Sequence, residues 1–149
     1  MPNQKYGIKF PFTQSSEGFF LGLNSNPDAE VRSNLMHLIL TQKGSRYFLP
    51  DFGTNLMRFL FEPLDSGTIS SIDKEIRKSV AKYIPNLVIN NIEIKNMDEV
   101  REEDTLLIGE DNSFSFAGEK EQEYTVRIRI DYSIGSSVFE TKDFVIINL

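Results

Sequence analysis

The spacing of apolar residues changes near the middle of the chain. Between residues 35 and 84 they recur three and four apart, and beyond residue 87 they alternate with polar ones. Leu35, Leu38 and Ile39 form one helical stripe. Asn26 can cap that helix, Pro27 suits its first position, and Asp28 and Glu30 suit its positive end. The helix is predicted to run to about Lys43, a cation in the last turn, with Gly44 as a left-handed cap. Pro50 biases Leu49 toward extended backbone, and Asp51-Phe52-Gly53 turns the chain. Asn55 then caps a second helix holding Leu56, Met57, Phe59, Leu60 and Phe61, which Pro63 stops. Ile69, Ile72, Ile76, Val80 and Ile84 mark a third amphipathic helix, with Ser70 and Asp73 as a capping box and Pro85-Asn86 as its end. Leu38, Ile39, Leu60, Ile76 and Val80 are expected to share one core.

The flanking segments read differently. Tyr6, Ile8, Phe10 and Phe12 alternate with Gly7, Lys9 and Pro11, a short strand or extended arm, and Phe19 to Leu23 suggests another. Leu87 to Lys95 is strand-like, with Ile92 and Ile94 on one face. Residues 97–122 read as an acidic connection holding a small hairpin around Glu110-Asp111-Asn112. Tyr124, Val126, Ile128, Ile130, Tyr132 and Ile134 give the cleanest alternation. Gly135-Ser136-Ser137 turns the chain into a return strand, Val138 to Leu149, whose Phe144-Val145-Ile146-Ile147 is apolar on both faces. A strand buried on both sides, or one covered by a partner, accounts for that run. The expected class is α+β: three helices on a small, mainly antiparallel sheet with a long C-terminal β-hairpin. One domain is expected over residues 1–149, with an N-terminal arm (1–23), a helical core (26–85) and a sheet (87–149).

Composition narrows the function classes. The 149 residues are 40% hydrophobic and 26% charged, with net charge −6. With an isoelectric point near 4.8, nonspecific binding to nucleic acid or to an anionic membrane is disfavoured. There is no cysteine, hence no disulfide and no thiolate metal site. No apolar run reaches the roughly 20 residues that span a bilayer, and MPNQKYGIKF lacks a signal-peptide apolar region.

Candidate chemistry is sparse. Neither glycine-rich phosphate-loop pattern occurs. His37, the only histidine, lies inside the first helix without a cysteine or paired acid nearby, and no metal site or cofactor is expected. Asp51 and Glu62 are the one carboxylate pair worth weighing, since glycoside hydrolysis needs two acids facing across a cleft. The simpler expectation is that Asp51 fixes the turn before Gly53 and Glu62 makes a hydrogen bond or ion pair at a helix end. Lys74, Lys78 and Lys82 line the outer face of the third helix, either solvated or against an acidic partner.

The order of these pieces is itself informative. A helix ending in LILTQKGSR, then LPDFG, then an apolar helix ending in FEP, resembles the small baseplate wedge family of contractile phage tails. That family initiates the tail sheath and has a counterpart in type VI secretion baseplates. The resemblance is most specific over Leu38 to Pro63. It implies a non-enzymatic adaptor in the virion tail baseplate, made in the bacterial host cytoplasm. Its partners would be the tail sheath protein and other wedge proteins, with tail tube and hub proteins as further candidates. Gly44, Arg46, Pro50, Asp51, Gly53, Arg58, Glu62 and Pro63 would belong to the wedge-docking or motif region. The family's Glu-Pro-Arg motif reads Glu62-Pro63-Leu64 here; the arginine is absent, and either Arg58, one helical turn earlier, supplies the charge or the contact is more apolar. The hairpin carrying Tyr124, Val126, Ile128, Ile130, Phe144, Val145, Ile146 and Ile147 would offer strands to the first sheath ring by β-augmentation. An anti-adaptor-like regulatory protein on the same architecture is the alternative, and a cell-wall hydrolase a more distant one.

Overall fold

The computed structural model describes residues 4–15, 18–96, 113–115, 125–134 and 141–149. Their elements, in chain order, are α1 (Pro27–Leu40), α2 (Leu56–Phe59), α3 (Ser66–Tyr83), β1 (Leu87–Asn96), β2 (Ser113–Ser115), β3 (Val126–Ile134) and β4 (Thr141–Asn148). The architecture is α+β, with the helices against one sheet ordered β1-β3-β4-β2. β1–β3 and β3–β4 pair antiparallel, and β2 pairs parallel with β4.

α1 begins as its residues dictate. The Asn26 side chain accepts the Ala29 N–H at 2.7 Å, satisfying an amide that the helix itself leaves open. It ends at Leu40, three residues earlier than the pattern suggested. Thr41 turns extended, and its hydroxyl donates back to the His37 carbonyl at 2.6 Å. The chain is then captured by a parallel bridge between Gln42 and Thr54. α3 also starts earlier than expected: Asp65, rather than a Ser70–Asp73 box, caps it by accepting the Thr68 N–H at 2.7 Å.

Among the described residues, fourteen buried ones form the core. Leu35, Met36, Leu38 and Ile39 come from α1, Leu56 from α2, and Ile72, Ile76 and Val80 from α3. Leu87, Ile128, Ile130, Tyr132, Val145 and Ile147 come from β1, β3 and β4. Leu60 is a correction. It is 37% exposed and Phe61 92% exposed, because α2 closes after Phe59 and Leu56 takes the inward position instead.

The N-terminal arm is an antiparallel excursion held by isolated bridges Ile8–Leu23 and Gln14–Leu21, without full strands. Its Phe10 packs on the core. The expected hairpin around Glu110–Asn112, the turn at Gly135–Ser137 and Tyr124 lie outside the described residues. What is described there, Ser113–Ser115, pairs parallel with β4 as β2.

Backbone direction within the sheet fixes which strands have edges. Val126 and Leu149 exchange both amide bonds at 3.0 Å. By the alternation of an antiparallel ladder, Ile128–Ile147 and Ile130–Val145 are hydrogen-bonded pairs too. The amides of Val145 and Ile147 therefore face β3, and those of Phe144 and Ile146 face away from it. On the other side, the amides of Arg127, Arg129 and Asp131 face β1, which turns those of Ile92 and Ile94 outward. A bulge between Ile89 and Asn91 shifts the alternation by one residue, so Ile89 also faces outward, and its carbonyl accepts from the Arg77 guanidinium at 3.0 Å.

Candidate docking surfaces

The connector from Thr41 to Leu64 is closed by its own backbone. Lys43 N–H donates to Thr54 O at 3.1 Å and Thr54 N–H to Thr41 O at 2.8 Å. Within that frame Gly44 N–H donates to Pro50 O at 2.7 Å and Phe52 N–H to Leu49 O at 3.0 Å. Gly44 has φ +87°, so a glycine is required there for a loop turn and not for a helix cap. Gly53 is constrained twice. Its φ is +108°, and a Cβ would lie 2.1 Å from the Thr41 carbonyl oxygen. Its own carbonyl accepts the buried Ser79 hydroxyl of α3 at 2.9 Å. The Thr54 hydroxyl donates to Ile39 O at 2.6 Å. The KGSR and LPDFG pieces are thus two sides of one clasp, pinned to α1 and α3.

Side chains from α3 complete it. The Glu75 carboxylate takes the Lys43 ammonium and, at 3.3 Å, the Asn55 N–H. Asn55 precedes α2 but makes no side-chain cap. Asp51 lies inside the Leu49–Phe52 turn, and its carboxylate meets Lys82 at 3.4 Å on the exposed face of α3. Glu62 lies 4.0 Å from Arg58, and the Arg58 guanidinium lies 5.2 Å over the Phe59 ring. Pro63, beyond α2, accepts the Asp65 N–H at 2.8 Å. Asp51 and Glu62 therefore have different partners. A cavity of about 270 Å³ is lined by Glu62, Leu56, Phe59, Leu64 and Ile128 but not by Asp51. Among the described residues no group of three or more His, Asp and Glu is placed to hold a metal.

His37 stacks on Phe10 at 5.4 Å and tilts on Phe52 at 5.8 Å. Phe52 in turn meets Tyr83 edge-on at 5.0 Å, and the Arg46 guanidinium lies 4.1 Å over the Phe52 ring. Burial, then the nearby Arg46 charge, hold the His37 pKa below its ordinary value. It serves as a packing aromatic of the clasp.

The hairpin residues occupy other positions than a simple exposed ladder. Val126, Ile128 and Ile130 lie on β3, which has β1 on one side and β4 on the other and so offers no edge. Val145 and Ile147 are fully buried in the chain's own core. Ile146, on the opposite face, is only 2% exposed, so the two-sided apolar run is covered without a second chain. Phe144 lies under the Arg129 guanidinium at 4.6 Å. The outer edge of β4 carries β2 along Ile146–Asn148.

One arrangement was not anticipated. The Asp143 carboxylate accepts from Arg32 Nε at 3.0 Å, from Tyr132 OH at 3.1 Å and from Phe144 N–H at 2.8 Å, tying α1 to β3 and β4. Burial, followed by the Asp143 charge, raises the pKa of the Tyr132 hydroxyl. The clue in the sequence was Asp143 itself, which shares the core-facing register of Val145 and Ile147.

Comparison with known proteins agrees with this geometry. The family model of the baseplate wedge protein gp25 matches residues 25–109. Over 67 residues the chain is 36% identical to the baseplate wedge protein gp25 of Enterobacteria phage T4, covering 45% of this chain and 47% of that protein. The match thus spans about half the length of that relative. Among solved structures, a Geobacter sulfurreducens protein named as a candidate tail lysozyme has the same fold. Its TM-score is 0.58 at 15% identity, over 86% of this chain and 96% of that one. A chain of the anti-feeding prophage (AFP) baseplate gives 0.53 at 14% identity, over 94% and 82%. With the family model covering the clasp, all three helices and β1, the chain belongs to the baseplate wedge protein gp25 family.

Proposed function

We propose that this chain is a structural adaptor of a contractile-tail baseplate, docking to other wedge proteins and setting where the tail sheath begins to polymerise. The observation that carries the reading is the family match over residues 25–109, which contains the whole Thr41–Leu64 clasp. A clasp locked by its own backbone suits a fixed joint between proteins. The wedge-facing residues would be Arg46, Arg58, Glu62 and Pro63, with Gly44, Pro50 and Gly53 shaping the loop and Asp51 tethering it to α3. The absent family arginine at Leu64 is answered by Arg58 beside Glu62. The role is non-catalytic, in keeping with the separate partners of Asp51 and Glu62. A peptidoglycan turnover assay with the purified chain should show no activity above buffer.

Sheath initiation is the second half of the reading. An added strand needs outward-facing amides. In β4 the Phe144 N–H already serves Asp143, and β2 lies along Ile146–Asn148. In β1 the amides of Ile92 and Ile94 face away from β3, and among the described residues no strand lies beyond them. The proposed receptor edge is therefore the second half of β1. Proline tests it: Ile94→Pro removes an outward donor, whereas Val145→Pro removes a donor of the internal ladder. Val145→Pro should unfold the domain. Ile94→Pro should keep its circular dichroism spectrum and its place in the baseplate, yet leave tail tubes bare of sheath. Normal sheaths on baseplates carrying folded Ile94→Pro would refute strand addition at this edge.

A further inference from the structure

The tip of the clasp carries two almost fully exposed aromatic side chains. Tyr47 and Phe48 are each 92% exposed and meet edge-to-face at 5.2 Å. The loop beneath them is held firmly. Gly44 N–H reaches Pro50 O at 2.7 Å, Ser45 N–H reaches Gln42 O at 3.2 Å, and Leu49 N–H reaches Arg46 O at 3.3 Å. Two adjacent rings on a hydrogen-bonded loop lose little conformational entropy when a partner closes over them, so their burial would translate efficiently into affinity.

Charge narrows the partner. In a chain of net charge −6, the clasp from Thr41 to Leu64 carries Lys43, Arg46 and Arg58 against the carboxylates Asp51 and Glu62. Lys43 is neutralised by Glu75, Arg58 lies beside Glu62, and Asp51 is drawn to Lys82. Arg46 makes no ion pair among the described residues; its guanidinium rests on the Phe52 ring and flanks the two exposed rings in sequence. Tyrosine, phenylalanine and arginine are the residues enriched at the centres of protein interfaces, and arginine and tyrosine are frequent hot spots.

We infer that Arg46, Tyr47 and Phe48 form a docking knob that inserts into an apolar cleft with a carboxylate rim on another wedge protein. Tyr47 and Phe48 fill the cleft, and Arg46 pairs with the rim. The inference rests on the adaptor reading and adds the anchor residues and the chemistry of the surface they enter.

The test uses the full chain and the remaining wedge proteins of the same particle, assembled without it, with binding followed by sedimentation or interferometry. Tyr47→Ser with Phe48→Ser should weaken binding roughly tenfold or more. Arg46→Glu should also weaken it, and should flatten its dependence on salt. Phe20→Ser, which removes a ring 91% exposed on the N-terminal arm, is the matched control and should bind as the parent chain does. All variants should keep the parent circular dichroism spectrum. Parent-like binding by the Tyr47/Phe48 double variant would overturn the knob while leaving wedge docking intact. Failure of the parent chain itself to bind would overturn the adaptor reading and the knob with it. A parent dimer abolished by the double variant, or ring-dependent pelleting with anionic vesicles, would assign the rings to self-association or to lipid and overturn the inference.

Discussion

Arg32 and Asp143, 111 positions apart, meet through Nε at 3.0 Å and join α1 to β4. The same carboxylate takes the Tyr132 hydroxyl, so three elements converge on one half-buried charge. Removing one partner leaves the other poorly solvated, which costs more than the bond itself contributes. Asp143→Ala should destabilise the chain by about 1–3 kcal/mol in chemical denaturation, whereas Tyr132→Phe should cost about 0.5–1.5 kcal/mol. Equal stability of Asp143→Ala and the parent would show that the network contributes nothing net.

The two clasp glycines should respond unequally to alanine. Gly44 has positive φ but open space around it, so Gly44→Ala should cost roughly 1–2 kcal/mol. Gly53→Ala adds a collision with the Thr41 carbonyl and should cost about 3 kcal/mol or more. Thermal unfolding of both variants settles the ranking; an equal loss would place the Gly53 strain elsewhere.

In α2 the inward residue is Leu56. At 3% exposure, Leu56→Ala should cost about 2–5 kcal/mol. At 37% exposure, Leu60→Ala should cost less than about 1 kcal/mol. The reverse order in urea denaturation would contradict the helix register described above.

These contrasts show where the sequence spoke clearly. The i, i+3, i+4 stripes of α1 and α3 and the alternation of β3 identified the core because burial follows local periodicity directly. Leu60 was misplaced because an apolar run of four or five residues does not say where its helix stops. The early end of α1 depends on Thr41 meeting Thr54, a contact between segments that no local pattern encodes. Strand order was equally hidden. The alternation of β3 and β4 announced a hairpin, but β1 beyond β3 and β2 beyond β4 are long-range pairings. They decide which backbone is an edge and therefore move the proposed sheath contact from the hairpin to β1. At the candidate docking surface the need for glycine at 44 and 53 was legible, although Gly44 serves a loop turn and not the expected helix cap; the exposure of Tyr47 and Phe48 was not, since adjacent aromatics look the same in a core as on a surface.

His37 gives the clasp a pH dependence with a defined sign. Its pKa is lowered in the folded chain by burial and by Arg46, so the unfolded chain binds the proton more readily. The packing contribution is fully present above the ordinary histidine value of about 6.5 and is lost as pH falls below it toward the folded-state value. His37→Gln should remove that part of the acidic slope in a stability profile between about pH 7 and 5. An unchanged slope would remove His37 as its source.

The position of the chain in an assembled particle is the most direct test of the adaptor role. A cryo-EM map of the intact contractile tail should place it in the baseplate, with the face bearing Glu62 against a wedge protein. A strand from the first sheath ring should lie along the Ile92–Ile94 edge of β1. A map in which the chain is missing from the baseplate, or in which that face and the β1 edge both look onto solvent, would contradict the account.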